Sequence, residues 1–184
     1  MKHSILALSL AAAMAGFAST ASAVTVNFTI AESPGAGCCS PMPSDAYAAY
    51  GLWVDNAYQY SDSRDTFDGE GISIYAAPTA TITFATVSPT VDFEYFVIDG
   101  NRGSYEAFDS SWTSLGTLAV DASAGDVLGT HSFGGGVKYL TFSGEAGYTQ
   151  VSAVTFAPVP EPGTYALMLG GLGIVGWMAR RRKI

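Results

Sequence analysis

Residues 79–98 constrain this 184-residue chain more than any other stretch. Ala80, Ile82 and Phe84 alternate with Thr79, Thr81 and Thr83. A few residues on, Val91, Phe93, Tyr95 and Val97 alternate with Asp92 and Glu94. Successive side chains of a β-strand point to opposite faces, so a period of two describes strands with one buried and one wet face. Two strands are therefore predicted, 79–87 and 91–98. Others are predicted at 24–30, 105–108, 116–121, 127–133, 137–142 and 150–156. Turn formers such as Asp99-Gly100-Asn101 and Gly134-Gly135-Gly136 punctuate them. Strands at this spacing, without long helical patterns, predict an all-β fold. The expected architecture is an antiparallel β-sandwich, jelly-roll-like, over residues 24–157, with an irregular barrel as the competitor. Phe28, Phe84 and Phe93 belong to its expected core.

Residues 31–71 give no such pattern. Three prolines and two glycines make 33–43 a loop. Residues 44–60 read either as a short helix capped by Ser44 or as two aromatic-rich strands around Gly51. Ala46, Ala48, Ala49 and Leu52 favour helix near the start; Trp53, Val54, Tyr58 and Tyr60 favour strand later.

Both ends are of a different kind. Met1-Lys2-His3, an uncharged apolar stretch over 5–18 and Ala21-Ser22-Ala23 have the layout of a secretory signal peptide over residues 1–23, removed by signal peptidase. At the other end, residues 158–163 form a proline-rich linker containing Pro160-Glu161-Pro162. Proline at this density holds the chain extended. Residues 164–179 then read as a single transmembrane helix, and 180–184 as a basic cytoplasmic tail led by Arg180, Arg181 and Arg182. The apolar run 165–179 makes a helix of roughly 23 Å at 1.5 Å per residue. The hydrocarbon core of a bilayer is about 30 Å thick, so this anchor spans only with thinning or help from its flanks. The body should thus face outward from the inner membrane, held there transiently.

The ordered set of a Val-Pro-Glu-Pro segment, a short Gly-rich apolar helix and an Arg-rich end resembles the PEP-CTERM sorting signal of Gram-negative bacteria. Pro160, Glu161 and Pro162 would be its signature triplet. The resemblance implies recognition and cleavage by an exosortase, an integral-membrane cysteine transpeptidase. It also implies export from the periplasm to the cell surface or the extracellular, biofilm-type matrix, in association with exopolysaccharide. The segment 64–69 and the β-rich body also look like one group of these substrates, which implies no activity.

Between Val24 and Pro158 stand three basic residues, Arg64, Arg102 and Lys138, against fifteen acidic ones, a net of −12 where the whole chain has −8. Such a surface repels nucleic acid and excludes it as a partner. It suits calcium, neutral polysaccharide, or simple solubility.

Specific chemistry is sparse. Asp62, Asp65, Asp68 and Glu70 place oxygen ligands near a turn and are calcium candidates, with Asp99 and Asn101 a smaller second set. The spacing is not that of an EF-hand and Arg64 lies inside it, so a solvated loop is the plainer reading and no cofactor is assigned. Cys38 and Cys39 are neighbours, with Cα atoms about 3.8 Å apart, below the usual disulfide range. A strained vicinal bridge, an intermolecular bridge and two thiols all stay open. His131 is the sole histidine after residue 23 and falls inside a predicted strand, where a structural role is commoner. No nucleophile elbow, phosphate loop or dinucleotide fingerprint is present, and no catalytic residue is assigned.

Aromatic residues give the better lead. Tyr47, Tyr50, Trp53, Tyr58 and Tyr60 crowd one segment; Tyr105, Phe108 and Trp112 crowd another. Such rings fill cores, and they also stack on sugar faces. Trp53 and Trp112 are the candidates for sugar contact. The expectation is a non-enzymatic exported surface or matrix protein associating with exopolysaccharide; a small secreted hydrolase acting on the same matrix is the alternative.

Overall fold

The computed structural model of the chain describes residues 22–28, 41–61, 70–75, 78–157, 170–173 and 176. Its body is all antiparallel β-structure: β1 (Val24–Asn27), β2 (Leu52–Asp55), β3 (Ala57–Ser61), β4 (Glu70–Ile74), β5 (Thr79–Val97), β6 (Arg102–Phe108), β7 (Ser114–Asp121), β8 (Val127–Gly144) and β9 (Thr149–Phe156). All strands are hydrogen-bonded into one continuous sheet that folds back on itself.

The fold-back happens within β5 and β8. The first half of β5 pairs Thr79–Thr83 with residues 139–143 of β8, and its second half pairs Val91–Val97 with residues 127–133. Between these stretches the register shifts on either side of Ser88. Pro89, which lacks an N–H to donate, sits at the bend. The facing bend of β8 is Gly134-Gly135-Gly136, where Gly135 and Gly136 take φ of +94° and +92°, a backbone that side-chain-bearing residues avoid. The sequence reading expected four strands here; the structure has two long bent ones. The Pro and Gly punctuation that suggested breaks instead marks bulges, which turn a strand without ending it.

Two layers result. The first contains β3, β4, β9, the second half of β5 and the first half of β8, with β1 beside β4 on the same edge of β9. The second contains β2, the first half of β5, the second half of β8, β6 and β7. They pack face to face: Phe84 of the second meets Phe156 of the first at 4.9 Å, and Tyr105 meets Phe93 at 5.2 Å. Ala80, Ile82, Phe84, Val91, Phe93, Leu140, Phe142 and Val154 are buried between them, as the alternation predicted for β5. The buried Tyr105 hydroxyl donates to the carbonyls of Gln150 (2.9 Å) and Phe96 (3.4 Å), tying one layer to the backbone of the other. Burial pushes its phenol pKa far up and keeps it neutral.

The unpatterned region follows neither reading as drawn: the helix shrinks to a single turn, and the two strands both come after Gly51 instead of flanking it. Ala48–Tyr50 forms one 3-10 turn, ended by Gly51 at φ +82°, and β2 and β3 follow. Ser44 does not cap it. Tyr47 occupies the N-cap position without a side-chain bond, and the Ser44 carbonyl instead accepts from Val54 N–H at 2.9 Å. Tyr47 is drawn inward, edge-on to Phe28 at 5.0 Å, and its hydroxyl donates to buried Gln59, whose amide donates to the Phe28 carbonyl. β4 was not anticipated. It is five residues long with four of them buried, starting on Glu70-Gly71, so no wet face supplies an alternating signal.

The body closes at Ala157, whose N–H donates to the buried Ser88 hydroxyl at 3.0 Å, next to the bend in β5. Beyond it, residues 170–173 and 176 are helical, and the rest of the expected linker, membrane helix and basic tail lies outside the described residues. Among the described residues no helix is long and apolar enough to cross a membrane. The expected signal peptide also lies outside them, apart from residues 22 and 23.

Candidate functional site

Partners directly opposite in an antiparallel ladder project from the same face of the sheet. In the second layer Trp53 pairs with Thr83, Thr83 with Tyr139, and Tyr139 with Phe108. These four side chains therefore form one row across β2, β5, β8 and β6, on the face opposite the buried Ile82, Phe84 and Leu140. Strands lie about 4.8 Å apart, so the row is roughly 14 Å long from Trp53 to Phe108. Trp53 is 37% exposed.

The turn between β6 and β7 adds a fifth member. Trp112 is 53% exposed, yet its indole lies flat on Tyr139, with centroids 4.0 Å apart and planes at 10°, and meets Phe108 at 5.4 Å. Its backbone takes φ +60°, a left-handed conformation that costs a residue with a side chain about 1–3 kcal/mol. Asp109 holds this turn. One carboxylate oxygen accepts from the N–H groups of Ser111 (2.8 Å) and Thr113 (2.9 Å), while Trp112 N–H donates to the Asp109 carbonyl (3.1 Å). Stacking on Tyr139 recovers about 0.5–1.5 kcal/mol. The strain is thus spent on presenting a flat ring to solvent.

Polar rows lie beside the aromatic one. Asp55, Thr81, Thr141 and Glu106 pair in sequence across the same four strands, followed by Thr79, Ser143 and Ser104. Glu106 accepts from the Ser114 hydroxyl at 2.5 Å. Past them a shallow depression is floored by Ser104, Ala119 and Ser143 and ends at Arg102, whose Nε donates to Asp121 at 3.0 Å. Hydrogen bonds from Ser123, and then from Arg102, hold Asp121 below the usual carboxylate range. Lys138 is turned onto the carbonyls of Phe84 (2.6 Å) and Ala85 (2.8 Å). The face therefore presents flat rings, hydroxyls and two carboxylates, with both described cations already engaged.

Trp53 and Trp112, far apart in sequence, thus open onto one face. Tyr139, the ring on which Trp112 rests, was not singled out; its signal was the alternation of Tyr139 and Thr141 with Leu140 and Phe142. Tyr47, Tyr58 and Tyr105, from the same aromatic crowds, are buried. His131 packs edge-on against Phe93 (5.9 Å) and Phe133 (4.7 Å). Of the calcium candidates, Asp62, Asp65 and Asp68 lie outside the described residues and Glu70 opens β4. Asn101 donates its amide to the Ile98 and Asp99 carbonyls. No group of three or more metal-ligating side chains occurs among the described residues. Cys38, Cys39, Pro160, Glu161, Pro162, Arg180, Arg181 and Arg182 lie outside the described residues.

Comparison with curated proteins finds no match. Among solved structures, the chain is similar to a carbohydrate binding module from Cellvibrio mixtus lichenase 5A in complex with cellotriose. Identity is 11% and the TM-score 0.39, over 74% of this chain and 98% of that one. It is also similar to the C-terminal CBM6 of LamC, a marine laminarinase from Zobellia galactanivorans, at 13% identity and TM-score 0.38, over 74% and 99%. At these values the likenesses carry no argument about ligand or activity. Residues 158–183 match the family model of the PEP-CTERM protein-sorting motif, so the chain is an exported protein bearing a PEP-CTERM sorting signal at its C-terminal end.

Proposed function

We propose that this chain is a non-enzymatic surface or extracellular-matrix protein that holds polysaccharide on the outer face of its second layer. The observation that carries this reading is Trp112. A large ring is kept in water, on a strained backbone, flat against a second ring, in line with Phe108 and Trp53. Sugar rings offer flat C–H faces to such a platform and hydroxyls to the adjoining Thr, Ser and carboxylate rows. Asp55 and Glu106 stand three strand spacings apart, roughly 14 Å. That exceeds the separation of about 5–9.5 Å between the two carboxyl groups of most glycosidases, which favours binding over hydrolysis on this face.

Sorting completes the reading. Signal peptidase removes residues 1–23; the apolar run 164–179 and Arg180, Arg181 and Arg182 hold the body in the periplasm at the inner membrane. An exosortase then acts at Pro160-Glu161-Pro162, and the protein passes to the surface or matrix. Intact-mass analysis from the native host should find a chain starting at Val24 and ending near the triplet; a chain ending at Ile184 would contradict processing. Binding is tested with the host's own exopolysaccharide. Trp112→Ala should weaken retention about tenfold or more with the melting temperature little changed. Equal retention of both proteins would overturn the platform.

A further inference from the structure

We propose that the polysaccharide recognised by this face carries free amino groups, its ammonium units lying between a ring and a carboxylate at each margin of the aromatic row. This deepens the binding reading above and rests on it. The same pair recurs at both margins. On β2, Trp53 and Asp55 are two residues apart, and on β6, Glu106 and Phe108 are two apart with Trp112 against Phe108. Residues two apart on a strand share a face and sit roughly 7 Å from one another. Between the margins the face is neutral: Thr83, Thr81 and Thr141, with Tyr139 under Trp112.

An amino sugar matches this arrangement with each of its parts. Its ring C–H face stacks on the indole or phenyl, and its ammonium is drawn to the ring's negative face. The neighbouring carboxylate accepts a charge-assisted hydrogen bond. A polyuronate would meet Asp55 and Glu106 with like charge. Neither cation stands beside the row to answer it: Arg102, bonded to Asp121 through Nε, lies four residues along β6 from Glu106, roughly 14 Å away, and Lys138 is turned onto the Phe84 and Ala85 carbonyls. A neutral glycan can meet both carboxylates through its hydroxyls alone, without the charge-assisted bond an ammonium adds. The strong net negative charge between Val24 and Pro158 also draws a polycation toward the body, but net charge by itself selects no face. Only the ring–carboxylate pairs make the second layer the site.

The test uses the exported form of the protein with three probes of matched length: a glucosamine oligomer, its fully N-acetylated counterpart and a uronate oligomer. The glucosamine oligomer should bind about tenfold more tightly than the acetylated one, an advantage that falls with added salt. Glu106→Gln and Asp55→Asn should each lower glucosamine affinity about fivefold and leave the acetylated oligomer unchanged. Asp92→Asn and Glu94→Gln remove the same charge from the outer face of the first layer and should change nothing beyond about twofold. If the first-layer variants cost as much as the second-layer ones, bulk charge explains the binding and the proposal falls. Equal binding of both oligomers, or preferential binding of the uronate, with loss in Trp112→Ala, would overturn the amino-sugar assignment and leave the platform intact. Binding of no oligomer and of no host polysaccharide would remove both.

Discussion

The outer face of the first layer presents Thr25, Thr155, Asp92 and Ser132 in one row, and Asn27, Ala153, Glu94 and Thr130 in the next. The outer face of the second presents Trp53, Thr83, Tyr139 and Phe108, with Trp112 laid over Tyr139. Both are built on antiparallel ladders that share β5 and β8, and both cover the same core. These two rows of the first are what folding alone requires of a wet face, small hydroxyls such as the Thr25 and Thr155 pair at 2.8 Å and scattered charge, although Leu128, two residues along β8 from Thr130, is 55% exposed. The second sets Trp112, 53% exposed, and Trp53, 37% exposed, beside half-buried Phe108 and Tyr139, and strains the backbone at Trp112 to do so. The shared framework places no such demand on the outward positions, and the proposed function assigns the aromatic face to what it contacts.

This contrast can be broken from inside. Phe93 sits between the layers against Tyr105, Phe133 and His131. Phe93→Ala should cost about 3–5 kcal/mol, measured by denaturant unfolding, and should loosen both faces together. If binding survived that loss unaltered, the faces would not share one framework. A smaller change separates presentation from contact. Asp109→Ala removes the acceptor for two turn N–H groups and should cost about 1–2 kcal/mol. It should also weaken polysaccharide binding severalfold, although Asp109 is outside the aromatic row. Unchanged binding would mean that the turn does not have to be pre-set.

The smallest expected effect lies at the edge of the second face. Asp121 has a lowered folded pKa, held first by Ser123 and then by Arg102, so its contribution is present above the unfolded carboxylate pKa. It is lost as pH falls through the lowered folded value. The group is solvent-exposed, so the effect on stability should be slight and visible mainly by NMR titration. Arg102→Ala should move its midpoint upward; no movement would remove Arg102 as a cause.

Much of this architecture could be read before any coordinates. β1, β6, β7 and β9 fall where strands were predicted, and the alternation names the inward residues of β5 as far as Phe93. Past the register shift at Glu94 and Tyr95, Phe96 is buried as well and Tyr95 only half-buried, which a strict period of two does not give. What escaped did so for definite reasons. β4 has no wet face, so alternation could not reveal it. β2 and β3 follow a helix-favouring alanine segment that continues only as one 3-10 turn, because Gly51 takes a left-handed conformation and chain reversal begins there. The merged strands were missed because proline and glycine mark bends as readily as ends.

Local sequence thus determined β1, β6, β7 and β9, the alternating buried and wet faces of most of β5 and the linear sorting signal, since each depends on neighbours a few residues away. Whether a wet-face ring joins a platform, or an aromatic such as Tyr105 closes the core while Tyr139 faces outward, depends on partners brought across from distant strands. So does the posture of Trp112, which needs Tyr139 beneath it and Asp109 behind it. Those choices were made where β5 and β8 bend from one layer into the other, because that crossing alone decides which strands become neighbours.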